Sequence, residues 1–338
     1  MYLSLTTFKY VSNSVEFMIH NKKEKVLIIK TGYTEILDGE DISRIAVSFG
    51  DILRITPLLN LYKNNDVIWV SDERAFPLLE NNPYIKKLLP FDLITVLRLE
   101  SEEFDTVINL EKIPGICALS DKIKAWKRYG FRFNNRTGEA EAYDKAFEVL
   151  AVAADPLSKK KNSKTSQELL FEMVGEKWRG EEYILGYKPK TKEIYDVGLN
   201  IKIGPKWPTK AWSIKNWDNL ENLLKKNRLS VTRQDKQDDK ILTDLYSYID
   251  WINSSKVIVS IDSLGLHLAT ALKKYALGLF GPTPHKEFCF YGKGEAILPE
   301  KNFDCVPCFK SVCKNDEFCL DNINYENVYK KIADYLEK

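Results

Sequence analysis

The sequence predicts an α/β protein, built as two doubly wound domains that face each other across a cleft. Short apolar runs rich in β-branched residues alternate with helix-period segments, and this alternation occurs twice along the chain. A polar, basic stretch separates the two series. The 338 residues, 44% of them hydrophobic, are enough for two domains that each bury a core.

KVLIIK (25–30), DVIWV (66–70) and DTVINL (105–110) read as strands, with helical patterns such as ILRITPLLNLYKN between them. Parallel strands need crossover connections, usually helical, so this order favours a parallel sheet. AEAYDKAFEVLAVAA (140–154) is expected to be a helix closing the first unit, and DPLSKKKNSKTSQ (155–167) a linker or surface loop. The first domain is therefore assigned residues 1–185 and the second 186–338. In the second, DVGLNIKIG (196–204), KVIVSID (256–262) and YALGLFG (275–281) are the expected strands, with helices at NWDNLENLLKK (216–226) and GLHLATALKK (265–274). NYENVYKKIADYLEK (324–338) ends the chain as an amphipathic helix, with Tyr325, Val328, Ile332 and Leu336 on one stripe. No repeat at a period of 20–50 residues is visible.

Fifty basic against forty-eight acidic side chains give a formal charge of +2, which supplies no global attraction to nucleic acid or an anionic membrane. The first thirty residues lack the basic start and continuous apolar run of a signal peptide, and no stretch approaches the ~20 apolar residues of a spanning helix. No transmembrane segment, no nucleic-acid partner and a cytoplasmic location are expected.

Ligands in doubly wound sheets bind outside the carboxyl ends of the strands, so the strand-end loops are where chemistry is sought. In VSFGDILRITPLL (47–59), Asp51 stands directly behind a glycine and before a mostly apolar run; it is a helix cap or a proton acceptor. IVSIDSLGLHLATAL (258–272) places Asp262, Ser263, Gly265 and His267 at a strand-to-helix junction, where unpaired amides and the helix dipole suit a pyrophosphate. The plainer reading makes Asp262 or Ser263 a cap and His267 a packing residue. LFGPTPHKEF (279–288) is another such junction, and GPKWPTKAW (204–212) carries two lysines able to meet a phosphate as point charges. Three strand ends with phosphate-compatible groups on one rim strengthen the functional reading beyond any one loop.

Cys305, Cys308, Cys313 and Cys319 follow the spacing C-x2-C-x4-C-x5-C. Four thiolates so close could hold one tetrahedral metal ion, zinc among those the ligand set allows; reduced thiols or a labile redox pair are the alternatives. Cys117 and Cys289 stand apart and are expected to be buried or incidental.

Four segments, in this order, carry a likeness to a known family: KVLIIKT with SFGDILRITPLL, then GPKWPTKAWSIKNW, then VSIDSLGLHLATAL with ALGLFGPT, and last CVPCFKSVC. The chain resembles the family 9 glycosyltransferases, the group containing ADP-heptose:lipopolysaccharide heptosyltransferases, over most of its length. The resemblance implies a GT-B fold of two Rossmann-like domains, the acceptor on the first and a nucleotide-diphosphate sugar on the second. It implies an inverting transfer, with heptose from ADP-heptose the expected sugar, onto a glycan or protein hydroxyl. Asp51 would be the general base, Lys210 would meet the donor phosphates, and Asp262 would hydrogen-bond the donor sugar. Ser263, Gly265 and His267 would line the pyrophosphate. No catalytic divalent metal is implied, although some protein-modifying heptosyltransferases that resemble this chain carry a tetra-cysteine iron centre, so a structural iron or zinc is expected here.

Two features depart from the family pattern. TGYTEILDGEDISRIAV (31–47) intervenes between the first strand and the glycine–aspartate pair, as a lid or an acceptor contact, and DSLGLH has its glycine one residue later than usual. The alternatives are a nucleotide-sugar epimerase, against which the K-x-W and glycine–aspartate segments argue, and a noncatalytic nucleotide-sugar-binding protein of the same fold.

Overall fold

The computed structural model describes residues 23–33, 47–204, 207–237 and 244–337. Residues 1–22, most of the 31–47 insertion, and Lys206 of the GPKWPTKAW loop lie outside the described residues.

The first sheet is built from β1 (Lys25–Ile29), β2 (Asp66–Ser71), β3 (Lys87–Pro90), β4 (Glu103–Asn109), β5 (Lys124–Phe133) and β6 (Ala140–Ala142), in the order β3-β2-β1-β4-β5-β6. All neighbours pair in parallel except β5 with β6. The crossovers carry α1 (Phe49–Leu53), α2 (Phe76–Leu79), α3 (Leu93–Ser101) and α4 (Pro114–Lys122). Val26 to Ile29 are fully buried, as a strand covered on both faces requires.

α5 (Phe147–Ala154), α6 (Pro156–Lys161) and α7 (Ser166–Met173) follow. Two expectations are corrected here. The helix expected over 140–154 begins at Phe147; Ala140–Ala142 instead form β6, an antiparallel edge strand with Glu141 paired to Arg132 at 3.2 Å. The stretch expected as a loop over 155–167 holds a helix and the start of another. Asp155 caps α6 by accepting from the amides of Leu157 and Ser158, with Pro156 at the first helical position. Thr165 and Glu168 form a reciprocal capping box on α7.

The second sheet contains β7 (Tyr195–Asn200), β8 (Val231–Arg233), β9 (Ser255–Ile261), β10 (Tyr275–Leu279) and β11 (Gly294–Ile297), in the parallel order β11-β10-β9-β7-β8. Its helices are α8 (Ile214–Lys226), α9 (Leu245–Asn253), α10 (Leu264–Ala271) and α11 (Tyr325–Leu336). The strand order reverses direction between β7 and β9 in this sheet and between β1 and β4 in the first. Those are the crevices where a doubly wound sheet opens for a ligand.

The two domains are joined by more than a covalent link. The segment leaving α7 lies along the first domain, where the Gly186 amide donates to the Leu78 carbonyl at 2.8 Å and the Ile184 amide to Thr56 Oγ1 at 3.0 Å. The Tyr246 hydroxyl on α9 donates to the Glu80 carboxylate of the first domain. One apolar cluster runs through both, from Val26 and Ile52 to Leu266, Ala269 and Phe280. Among the described residues no helix is long and apolar enough to cross a membrane.

α11 behaves as its stripe predicts. Val328 and Ile332 are fully buried in one cluster with Trp217, Leu220 and Leu224 of α8, while Tyr325 and Leu336 pack at its border. Ile332→Ala should therefore destabilise the protein by about 2–5 kcal/mol through lost burial and a residual cavity, read as a lower denaturation midpoint with an unchanged denaturant slope.

Candidate functional site

The site begins at the carboxyl end of β1. Glu111, 2% exposed, takes three donors from the segment leaving that strand: Lys30 Nζ at 3.1 Å, Thr31 Oγ1 at 2.9 Å and the Gly32 amide at 2.8 Å. A carboxylate this deep is tolerated because its charge is paired and its oxygens are hydrogen-bonded. The chain is thereby fixed at Gly32, whose carbonyl accepts from the Ser48 amide at 2.7 Å, and an antiparallel bridge between Tyr33 and Val47 brings the two ends of the 31–47 insertion together. α1 therefore starts from a braced point.

Asp51 lies in the first turn of α1, and its amide donates to the Ser48 carbonyl at 3.1 Å. Its side chain is 38% exposed, lines the cleft and meets the Arg54 guanidinium at 3.1 Å. Burial works to raise its pKa, but the charges of Arg54 and Lys30, a hydrogen bond with Ser48 and the nearby His267 together hold it well below the usual carboxylate range. Asp51 is an anion at any physiological pH.

The opposite wall is α10, entered from β9. Ser263 occupies the N-cap position but makes no capping bond. Its hydroxyl accepts instead from Asn200 Nδ2 at 2.9 Å and lies 3.2 Å from Ser260 Oγ. The first amides of α10 keep no side-chain partner, and the helix dipole adds positive potential there. Asp262, just before this helix, pairs with Lys210 Nζ at 2.8 Å. Burial favours protonation of Asp262, but Lys210, His267 and a Thr283 hydrogen bond hold its pKa down. Lys210 is placed by its neighbours: Trp212 is buried edge-to-face on Trp217 at 4.8 Å, and Thr209 Oγ1 donates to the Lys310 carbonyl at 2.5 Å.

α1 and α10 meet face to face. A Cβ on Gly50 would come within 3.0 Å of His267 Cδ2 and 3.8 Å of the Leu264 Cα, so the glycine permits this approach. His267, deep in the junction, has its pKa pulled down to about 4 by burial, aided by Arg54 and Lys210 and opposed by Asp262 and Asp51. The imidazole is neutral near pH 7.

Asp51, Lys210, Asp262, Ser263 and His267 all line one cleft of about 400 Å³. Gly265 is placed differently: it is buried behind the wall, where a Cβ would lie 2.3 Å from Asn200 Nδ2 and 2.6 Å from Tyr248 Oη. It allows α10 to seat against that buried pair. Sequence reasoning missed Arg54 and Glu287 as lining residues. Arg54 was findable, since it falls three residues after Asp51 on one helix face. Glu287 was not, since the tight turn at 281–284 gives no sign of which way the next side chains point. Its carboxyl is pushed up by burial and restrained by Arg54, by Asn162 at 3.4 Å and by Lys159.

The cysteine segment lies against the same loops. The Phe309 amide donates to the Pro282 carbonyl at 2.9 Å, and a Cβ on Gly281 would lie 2.9 Å from Cys319 Sγ. Cys319 is buried, Cys305 and Cys308 half-buried and Cys313 exposed, and none of the six cysteines is in a disulfide. Burial, then the neighbouring Cys308, Cys305 and Cys313, pushes the Cys319 thiol up to about 11. In this arrangement, among the described residues, no three His, Cys, Asp or Glu side chains gather as ligands for one ion. Asn315 Nδ2 contacts Cys305 Sγ at 3.3 Å, and Cys313 is exposed. Cys117 is fully buried, its thiol donating to the Glu111 carbonyl at 3.1 Å, and Cys289 is half-buried.

Among curated proteins none matches the chain. Solved structures share its fold, among them the following three. Heptosyltransferase WaaC of E. coli, with ADP, superposes with a TM-score of 0.59 at 15% identity, over 92% of this chain and 99% of that one. The E. coli ADP-heptose lps heptosyltransferase II gives 0.62 at 14%, over 93% and 100%. The iron-containing dodecameric glycosyltransferase TibC of enterotoxigenic E. coli gives 0.57 at 10%, over 94% and 77%. At these identities the likeness speaks to the fold, which is GT-B. The family model for glycosyltransferase family 9 (heptosyltransferase) matches residues 95–318, about two thirds of the sequence, and the chain belongs to that family.

Proposed function

We propose that this glycosyltransferase transfers heptose from ADP-heptose to a hydroxyl of a glycan or protein acceptor, with inversion at the anomeric carbon. The observation that carries the reading is the joint lining of one cleft by a carboxylate from the first domain and by Lys210, Asp262, Ser263 and His267 from the second. WaaC is described with ADP, and TibC with ADP-D-beta-D-heptose, which supports the choice of donor.

In this reading the diphosphate lies at the start of α10. The free amides there, the Lys210 ammonium and the His267 ring would meet its oxygens, and Asp262 would be released from Lys210 to hydrogen-bond the sugar. An acceptor hydroxyl enters from the side of Asp51. As its oxygen bonds to the anomeric carbon and the carbon–phosphate oxygen bond breaks, the hydroxyl proton passes to Asp51 and the electron pair leaves with ADP. Lys210 and the helix start offset the charge growing on that leaving group. Asp51 is a weak base while Arg54 holds it. Competition of the donor phosphates for Arg54 would loosen that pair and strengthen the carboxylate as proton acceptor.

The cysteine segment takes no part in these steps. Its four thiols have the chemistry of a tetrahedral zinc or iron site once the side chains turn to a common centre. Such an ion would fix the segment that braces the Lys210 and Pro282 loops, through the Thr209–Lys310 and Phe309–Pro282 bonds.

Asp51→Asn should lower turnover of ADP-heptose by about 100-fold or more while ADP binding persists; unchanged turnover would return Asp51 to a capping role. Lys210→Ala should weaken ADP about tenfold or more in calorimetry, since it removes a charge-assisted contact and leaves Asp262 uncompensated. Protein purified without a metal-binding tag should contain about one equivalent of iron or zinc by elemental analysis, and chelation should weaken ADP binding. Less than about a tenth of an equivalent would sink the metal assignment.

A further inference from the structure

The buried side of His267 carries a feature that the transfer chemistry does not use. Its Nδ1 lies 3.0 Å from the Tyr183 hydroxyl, and that hydroxyl accepts from Gln167 Nε2 at 3.1 Å. Gln167 on α7 is 1% exposed, and Tyr183, in the segment crossing between the domains, is 8% exposed. A phenol has one proton. With Gln167 donating to the oxygen, that proton points at His267 Nδ1, and a neutral imidazole that accepts at Nδ1 carries its hydrogen on Nε2.

The electrostatics of the other edge agree. Nε2 would lie 3.5 Å from a Cβ on Gly50, so that edge of the ring faces α1, and the Asp51 charge also acts on the ring; an N–H is favourable near such an anion and a lone pair is not. Arg54, Asp262 and Lys210 act on the ring from around the cleft, and Phe288 packs on it at 5.0 Å. Tyr183 is itself held edge-to-face by Tyr291 at 5.7 Å, whose hydroxyl donates to the Glu181 carbonyl at 3.1 Å.

We propose that Gln167 and Tyr183 are positioning residues that lock His267 as its Nε2–H tautomer, so that the ring presents a hydrogen-bond donor to the diphosphate of the sugar nucleotide. This rests on the donor site described above. The lock draws on α7, on the interdomain segment and on α10, so correct seating of the two domains is what sets the proton on the ring.

The chain contains three histidines, which makes the test direct. In protein labelled with [15N]histidine, long-range proton–nitrogen spectra separate the two neutral tautomers, and a His267→Gln spectrum identifies the ring. The expected result without ligand is a single Nε2–H tautomer at His267, and addition of ADP should move Nε2 more than Nδ1. Tyr183→Phe keeps the ring and removes the hydroxyl; it should give mixed tautomers at His267 and weaken ADP about tenfold. An Nδ1–H tautomer in the unaltered protein would overturn the inference, as would a Tyr183→Phe protein whose His267 tautomer or ADP affinity is unchanged. The ligand-free spectrum of the unaltered protein stands even if the variant fails to fold. Absence of ADP binding to the unaltered protein would instead overturn the donor-site reading, leaving the recorded tautomer as a separate fact.

Discussion

The site depends on the contact between α1 and α10. Each is short, each leaves a strand at the point where its sheet reverses order, and each brings one half of the chemistry. Asp51 comes from one and the helix-start amides, with His267, from the other. Gly50 lets the two backbones close to this distance, because a side chain there would strike the His267 ring. Everything that steadies either helix, from Glu111 beneath the first to the Asn200–Ser263 bond beneath the second, acts on the distance between them.

Charge in the cleft is arranged in pairs that the donor would exchange. Asp51 holds Arg54, and Asp262 holds Lys210, so two ion pairs share a partly water-excluded space that Glu287 also lines. In the proposed reading, an incoming diphosphate would add negative charge beside both cations and weaken their hold on the carboxylates. In such a space a single lost charge leaves its partner unpaired, and the cost exceeds that of a surface ion pair. The neutrality of His267 fits the same picture: a third cation would be expensive at the junction, whereas a neutral N–H can serve a phosphate oxygen.

The cysteine segment reaches this site without entering the chemistry. It joins the loop carrying Lys210 through Thr209 and the loop after β10 through Pro282, and α6 adds a bond from Lys160 Nζ to the Asp304 carbonyl at 2.9 Å. Loops that position charges need external bracing, because their own backbone groups are not tied into a sheet or helix. For the Lys210 loop the bracing residue, Lys310, lies 101 positions away in sequence from Thr209.

Much of the fold was legible because buried parallel strands must be continuous apolar runs: KVLII, DVIWV and KVIVSI declare themselves. β5 was hidden because it carries lysines and arginines on a sparsely covered surface, and β8 because three residues show no period. Ala140–Ala142 carry a helix former's composition yet pair with β5, since an edge position outweighs a weak preference. Asp51, Asp262, Ser263 and His267 could be named from the residue types at strand ends, which topology brings to one rim, whereas Lys210 was singled out from the two lysines of its loop only by the family resemblance. What the sequence by itself determined is thus the set of strands and the chemistry placed at their ends. Only the tertiary structure decided that Gly265 turns away from the cleft, that Arg54 and Glu287 turn into it, and that Tyr183 and Gln167 stand behind His267. Those facts depend on how the two sheets are seated against each other, and packing between distant segments leaves no periodic mark in either one.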